Sequence, residues 1–217
     1  MYGAAPSALR ILFILSMGEI MDKISKPSDY IKKMGRFTLS NRVVELIDSN
    51  SFIVKFPAGY TVIREGEKAH NCYLILKGVV RGYYIDTQGN DITKCFSCEN
   101  EFFSNEGLRT EAEYSCTIEC LEDCLFIQFP YYLINQLSVE DTRVKAFIDQ
   151  LYYKEIDNLE NRIKSFTLMS AEERYNNFRE YYPFLQSRIA LKYIASYIGV
   201  RAASLSRIRK NLQETSL

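Results

Sequence analysis

Histidine is almost missing from this chain: His70 is the only one in 217 residues. That removes metal sites built from several imidazoles, and it confines any Ser-His or Cys-His catalysis to one position. His70 follows Gly66-Glu67 in a polar stretch and reads as plain surface, so no enzyme is expected. A net charge is missing as well. The 27 Lys and Arg balance 27 Asp and Glu, and whole-chain charge therefore argues neither for nucleic acid nor for a membrane surface. No stretch nears the roughly 18 apolar residues of a transmembrane helix. The nearest run, Ile11 to Leu15 after Arg10, is short and lacks a small-residue cleavage site, so neither a signal peptide nor membrane contact is expected.

What remains is 47% apolar and 25% charged, a globular composition with material for one large domain or two small ones. Met17 and Met21 offer alternative starts, and residues 1–37 are expected to be disordered or to precede the native start. The six cysteines (Cys72, Cys95, Cys98, Cys116, Cys120, Cys124) are scattered, which points to reduced thiols in a cytoplasm. Cys95-x-x-Cys98 and Cys116, Cys120 and Cys124 have the chemistry of metal ligands. Strand alternation, however, puts Cys116, Ile118 and Cys120 on one face, where small apolar side chains fill a core. No metal and no cofactor are expected.

Charge is unevenly placed. From Leu185 to Leu217 six bases (Arg188, Lys192, Arg201, Arg207, Arg209, Lys210) meet one acid, Glu214, a net of +5 that leaves −5 on the first 184 residues.

Residues 38–50, with Val43, Val44, Leu46 and Ile47, read as a short amphipathic helix. Strand signals follow: 51–56, 60–64, 72–76, 79–85, 91–96, 115–121 and 124–129, broken at Pro57-Ala-Gly59, Gly66, Gly78 and Gln88-Gly89-Asn90. The roughly 8 to 12 residue spacing is that of a β-sandwich or jelly roll. After Pro130 the period becomes helical. Val144, Ile148, Leu151, Tyr152, Ile156, Leu159, Ile163 and Phe166 form a stripe whose last five members have coiled-coil spacing. A helix from about Ser138 to Phe166 would run roughly 43 Å, longer than a small sandwich can cover, so a second copy is expected on Ile148, Tyr152, Ile156, Leu159, Ile163 and Phe166. Another helix, 171–182, has Ser170 and Glu173 as a capping box and ends at Pro183.

Residues 191–210 meet the demands of two steeply crossing helices. Ala195 is small at the crossing, Gly199 allows the turn, and Ile194, Ile198, Val200, Leu205 and Ile208 supply the core. An ordinary helical hairpin needs a similar core, and it is the local +5 charge that favours DNA. On a helical wheel Leu205, Ile208 and Leu212 face inward while Ala203, Ser206, Arg207 and Lys210 face outward, as a recognition helix presents itself to a major groove. Arg207 suits the O6 and N7 of guanine, worth about 1 to 3 kcal/mol of discrimination. Ser204, Ser206, Arg201, Lys210 and Arg209 suit phosphates and sugars.

These segments resemble the Crp/Fnr family of bacterial transcription regulators. The resemblance rests on Pro57-x-Gly59-x-x-Val62-Ile63-x-x-Gly66-Glu67, Tyr73-Leu-Ile-Leu-x-Gly78-x-Val80 and Gly89. Towards the C-terminus it rests on Ser170-Ala-x-Glu-Arg174, Tyr182-Pro183, Ile194-Ala-Ser-Tyr-Ile-Gly199 and Ser204-Leu-Ser-Arg-Ile-Arg209. It implies an α+β chain: an N-terminal jelly-roll or β-roll of cyclic-nucleotide-binding type (38–137), a long dimerisation helix (138–167) and a C-terminal helix-turn-helix domain (168–217). It also implies a cytoplasmic homodimer on a palindromic double-stranded operator, with RNA polymerase as a further partner. A dimeric β-roll sensing or interaction protein without DNA binding is the alternative.

Family members that bind cyclic nucleotides carry Gly-Glu and then Arg-Ser or Arg-Thr in a phosphate cassette. Here the corresponding residues are Ser104-Asn105 and Tyr114-Ser115, so the effector site is reduced to a degenerate Ser104, Asn105 and Ser115. Between Cys98 and Asp123 eight acids face Arg109 alone. A phosphate would meet repulsion there. The effector is expected to be something other than cyclic AMP, or none.

Overall fold

The computed structural model describes residues 26–35, 38–104 and 113–215. Among them, helices α1 (Pro27–Gly35) and α2 (Asn41–Asn50) precede strands β1 (Phe52–Phe56), β2 (Thr61–Ile63), β3 (Asn71–Lys77), β4 (Val80–Ile85), β5 (Asp91–Ser97), β6 (Phe102–Phe103), β7 (Thr117–Cys120) and β8 (Cys124–Pro130). Helices α3 (Tyr131–Glu140), α4 (Thr142–Leu168), α5 (Ala171–Tyr181), α6 (Leu185–Arg188), α7 (Leu191–Ile198) and α8 (Ala202–Thr215) follow. The expected α+β architecture is present.

The strands form two four-stranded sheets, ordered β1-β8-β3-β6 and β2-β7-β4-β5. In the first, Val54 lies opposite Phe126 and Leu74 opposite Ile127, both pairings antiparallel. β7 shows the alternation expected of a strand with one buried face: Ile118 and Cys120 go inward while Thr117 and Glu119 stay partly exposed. β3 differs, with five consecutive buried residues from Cys72 to Leu76, the pattern of a strand covered on both sides. One hydrophobic core joins its Leu74 and Ile75 to Val43 and Ile47 of α2 and to Leu133 and Leu137 of α3. The β4–β5 turn uses Gly89 at φ +83. The Asp86 carboxylate accepts from the backbone N–H of Gln88 and Asn90 and fixes that turn.

The structure departs from the sequence expectation in four places. Pro27–Gly35 is helical, so the disorder expected of 1–37 does not reach it. Tyr30 and Ile31 are buried in the core, and Ser28 donates through its backbone N–H and its hydroxyl to Asp48. The remaining expectations, for residues 1–25, 36 and 37, lie outside the described residues. The long helix begins at Thr142, not near Ser138. Asp141 breaks it, its N–H bonding Leu137 O as the end of α3 and its carbonyl receiving Lys145 N at the start of α4. Its carboxylate accepts from the Arg143 guanidinium and from Arg143 N, which holds it below the usual carboxylate range. Two short elements, β6 and α6, carry too little period to be read from sequence.

The chain divides into two compact units. One takes in the residues up to Arg81 and Phe96–Tyr153, and the other takes in Gly82–Cys95 and Lys154–Leu217. The boundary thus falls within the long helix instead of at its ends, and most of the β4–β5 hairpin belongs to the C-terminal unit.

Candidate nucleic-acid interface

Helix α7 ends because Gly199 takes a left-handed conformation, φ +72 and ψ +39. Its N–H bonds Ser196 O at 3.1 Å and the next N–H, on Val200, bonds Ala195 O at 2.9 Å. This pair of bonds is a Schellman motif. It satisfies carbonyls that the helix end would otherwise leave without partners and redirects the chain into α8. Ile194, Ala195, Ile198 and Leu205 are buried at the crossing, in the register expected from sequence.

Arg201 stands immediately before α8, and its carbonyl accepts the N–H of Ser204 at 2.9 Å and of Leu205 at 3.1 Å. Along α8, Leu205 is fully buried and Ile208 and Leu212 are half-buried, which turns the opposite side outward. Arg201, Ala203, Ser206, Arg207, Arg209 and Lys210 are all exposed, and Ser204 is half-buried. The Ser206 hydroxyl donates to Ala202 O at 3.1 Å, so it offers lone pairs, not its proton, to anything outside. Lys210 lies 3.7 Å from Glu214 in an exposed i, i+4 pair. Such a pair contributes little, and it leaves the ammonium available for exchange to a stronger anion.

The helix pair is anchored by two arginines that sequence reasoning did not assign. The Arg162 guanidinium, from α4, donates to Thr93 O at 3.0 Å and Tyr197 O at 3.1 Å. It also lies 4.1 Å from the Tyr197 ring centroid. Arg174, from α5, donates to Ile198 O at 2.8 Å and Met169 O at 2.7 Å. Both guanidiniums thus bond carbonyls at the C-terminal end of α7, the negative end of its dipole. They also flank the Phe166 ring at 5.0 and 5.1 Å. Ser196 completes the attachment, accepting Thr93 N at 2.9 Å and donating to Asp91 O at 3.3 Å. Apart from Met169 O, the partners in these bonds lie 24 to 105 residues away, which sequence could not indicate. The capping box at Ser170 and Glu173 is present as expected.

The apolar stripe of α4 changes partners along its length. Val144 is buried, and Ile148 packs on the core of its own roll. Tyr152 lines a cavity there with Leu151. From the next turn the stripe is uncovered: Ile156 is 51% exposed, Leu159 46%, Ile163 67% and Phe166 45%. The six residues expected at a dimer seam are therefore divided between two environments.

At the degenerate cassette Ser104 is buried at φ +66, and its hydroxyl bonds Asn71 O at 3.0 Å and lies 2.9 Å from the Tyr131 hydroxyl. Tyr114, where a phosphate-binding arginine would stand, is also buried. Its hydroxyl donates to Asn71 O at 3.2 Å and accepts His70 N at 3.3 Å. Ser115 is exposed, while Asn105 and Arg109 lie outside the described residues. The buried Arg81 on β4 is engaged by Glu119 at 2.8 Å. None of the six cysteines is in a disulfide, and among the described residues no cluster of three or more His, Cys, Asp or Glu has the geometry of a metal site. No helix of the described residues is long and apolar enough to cross a membrane.

Comparison with known proteins adds to this geometry. The cyclic nucleotide-binding domain matches residues 53–141. The cAMP-activated global transcriptional regulator CRP of Pasteurella multocida is 21% identical over 180 residues, 78% of this chain and 86% of the relative. The fumarate and nitrate reduction regulatory protein of Vibrio cholerae is 21% identical over 171 residues, 73% of this chain and 68% of the relative. The chain is thus similar to Crp/Fnr regulators along most of its length. Solved structures agree with it in fold. FixK2 from Bradyrhizobium japonicum has a TM-score of 0.68 at 16% identity, covering 76% of this chain and 86% of its own. The c-di-GMP responsive global regulator CLP of Xanthomonas campestris has a TM-score of 0.67 at 16% identity, covering 82% and 94%.

Proposed function

We propose that this chain is a sequence-specific DNA-binding transcription regulator of Crp/Fnr type that acts as a homodimer, with α8 of each copy in a major groove. One observation carries the reading. After the Schellman turn, α8 presents Arg207 on its exposed face with Arg201, Arg209 and Lys210 around it, on a helix pair whose other face is packed. Arg207 reads base edges, while Arg201, Ser204, Ser206, Arg209 and Lys210 bind phosphate and sugar and set the register. Ser206 contributes as an acceptor or through a bridging water. The second copy packs on Ile148, Tyr152, Ile156, Leu159, Ile163 and Phe166, of which Ile148 and Tyr152 also touch the chain's own roll and its cavity. The partners are a palindromic double-stranded operator, a second copy of the chain and RNA polymerase, and the setting is the cytoplasm.

The effector is not cyclic AMP. The Ser104 and Tyr114 hydroxyls are spent on the backbone of Asn71 and its neighbours, and the buried Arg81 is already paired with Glu119.

Selecting bound sequences from random DNA tests the reading. A palindromic consensus with half-sites about one helical turn apart is expected. Failure to enrich any sequence, together with no salt-dependent retention on duplex DNA at low ionic strength, would overturn it.

A further inference from the structure

The first unit contains a cavity of about 50 Å³ that the DNA-binding reading does not use. Helices and strands both wall it, among them Ile31 of α1, Ile47 of α2, Phe129 of β8, Leu137 of α3 and Ile148 of α4. Apart from Cys72 and Tyr152, every lining side chain is a hydrocarbon. Burial pushes the Cys72 thiol up to about 12, so it stays neutral across the physiological range.

Size and chemistry limit the occupant. A single water needs roughly 10 to 15 Å³ and two to four polar partners, and an apolar cavity of about 150 Å³ stays dry and takes benzene or xenon, so a space of about 50 Å³ suits a guest smaller than benzene. An ion entering this space would find no charged wall residue and would lose its hydration. Phe102, Phe147, Ile148, Leu151 and Tyr152 are the half-buried residues of its lining. Val144, Phe147, Ile148 and Leu151 all come from the first half of α4. A guest would therefore be held between that helix and the roll, and the same helix continues into the exposed seam.

We propose that this cavity is a binding site for a small neutral apolar molecule of a few heavy atoms, which serves as the effector of the regulator described above and in that role rests on that reading. Binding there fastens the first half of α4 to its own roll. It acts on DNA affinity only through a difference in affinity between two arrangements of the chain. The site is separate from the degenerate cassette, whose polar groups are already used.

The test uses the full chain with xenon and cyclopropane as probes. Saturable methyl shifts are expected at Ile47, Leu137 and Val144 in NMR spectra under xenon. Cyclopropane at a hundredfold excess over its Kd is expected to raise Tm by about 5 °C. Ile148→Phe, which fills the cavity, and the milder Val144→Ile are expected to reduce both responses. No saturable shift at these methyls in the wild-type chain would overturn the site. DNA affinity is measured separately on the selected operator. A severalfold change on cyclopropane addition, reduced in Val144→Ile, supports the effector role, and no change overturns that role. If the methyls respond but the chain binds no DNA, the regulator reading fails and the site stands.

Discussion

The Phe166 ring occupies the space into which a side chain at position 199 would project: a Cβ on Gly199 would lie 2.6 Å from Phe166 Cε1. Glycine is required there on two independent grounds, the left-handed φ of +72 and this close approach. The ring cannot easily yield, because Arg162 and Arg174 lie against it. The turn of the helix pair is thereby pressed against the last apolar residue of the α4 stripe.

Gly199→Ala is expected to destabilise the C-terminal unit by about 3 kcal/mol, combining left-handed strain with overpacking. Thermal or denaturant unfolding would show this as a lower midpoint, and limited proteolysis as earlier cleavage near the turn. A variant as stable as the wild type would show that Phe166 moves aside at no cost.

Arg207→Ala is expected to weaken operator binding by about 1 to 3 kcal/mol and to relax the preference at one base pair of each half-site. Lys210→Ala should act differently. It should weaken binding to all sequences alike and lower the salt slope by about 0.9 for each phosphate that Lys210 neutralises. Competition binding over several salt concentrations separates the two, and an unaltered base preference in Arg207→Ala would remove its assigned role.

Leu159→Glu and Ile163→Glu are expected to convert the dimer to monomer by placing facing carboxylates in an apolar seam. A cost of about 3 kcal/mol raises the dimer Kd roughly 100-fold. Sedimentation at several protein concentrations measures it. Ile148→Ala should mainly lower monomer stability, because Ile148 packs on its own core.

The Glu173 carboxylate is held below its ordinary 4.5 by the Ser170 backbone N–H and side chain. Because the folded value is the lower one, its stabilisation is complete above the unfolded value and is lost as pH falls through the folded one. Melting curves between neutral pH and about pH 3 should show Glu173→Gln less stable than wild type at neutral pH and closer to it in acid. A constant gap across that range would mean that the box does not depend on the charge.

Much of the fold was legible because it is local. Alternation marked β7, Ser170 and Glu173 marked the start of α5, and the Ala195 to Gly199 spacing marked the turn between α7 and α8. Each is a period or a cap carried by neighbouring residues. The break at Asp141 was not legible, since the apolar pattern runs through it and the capping bonds of Asp141 appear only once the chain turns there. α1 was missed because its stability comes from burying Tyr30 and Ile31 on a core assembled from distant strands.

The outward face of α8, with Arg201, Arg207, Arg209 and Lys210, was determined by the amino-acid order alone, because helical geometry assigns faces from spacing. Tertiary structure alone decided that Ile148 and Tyr152 turn to their own roll while Ile156, Leu159 and Ile163 stay uncovered. It also decided that Arg162 and Arg174 bond carbonyls of α7 and that Ser104 is consumed by Asn71. The physical reason is the same in each case: a side chain's period states which way it points, and only closure of the distant chain states what it meets there.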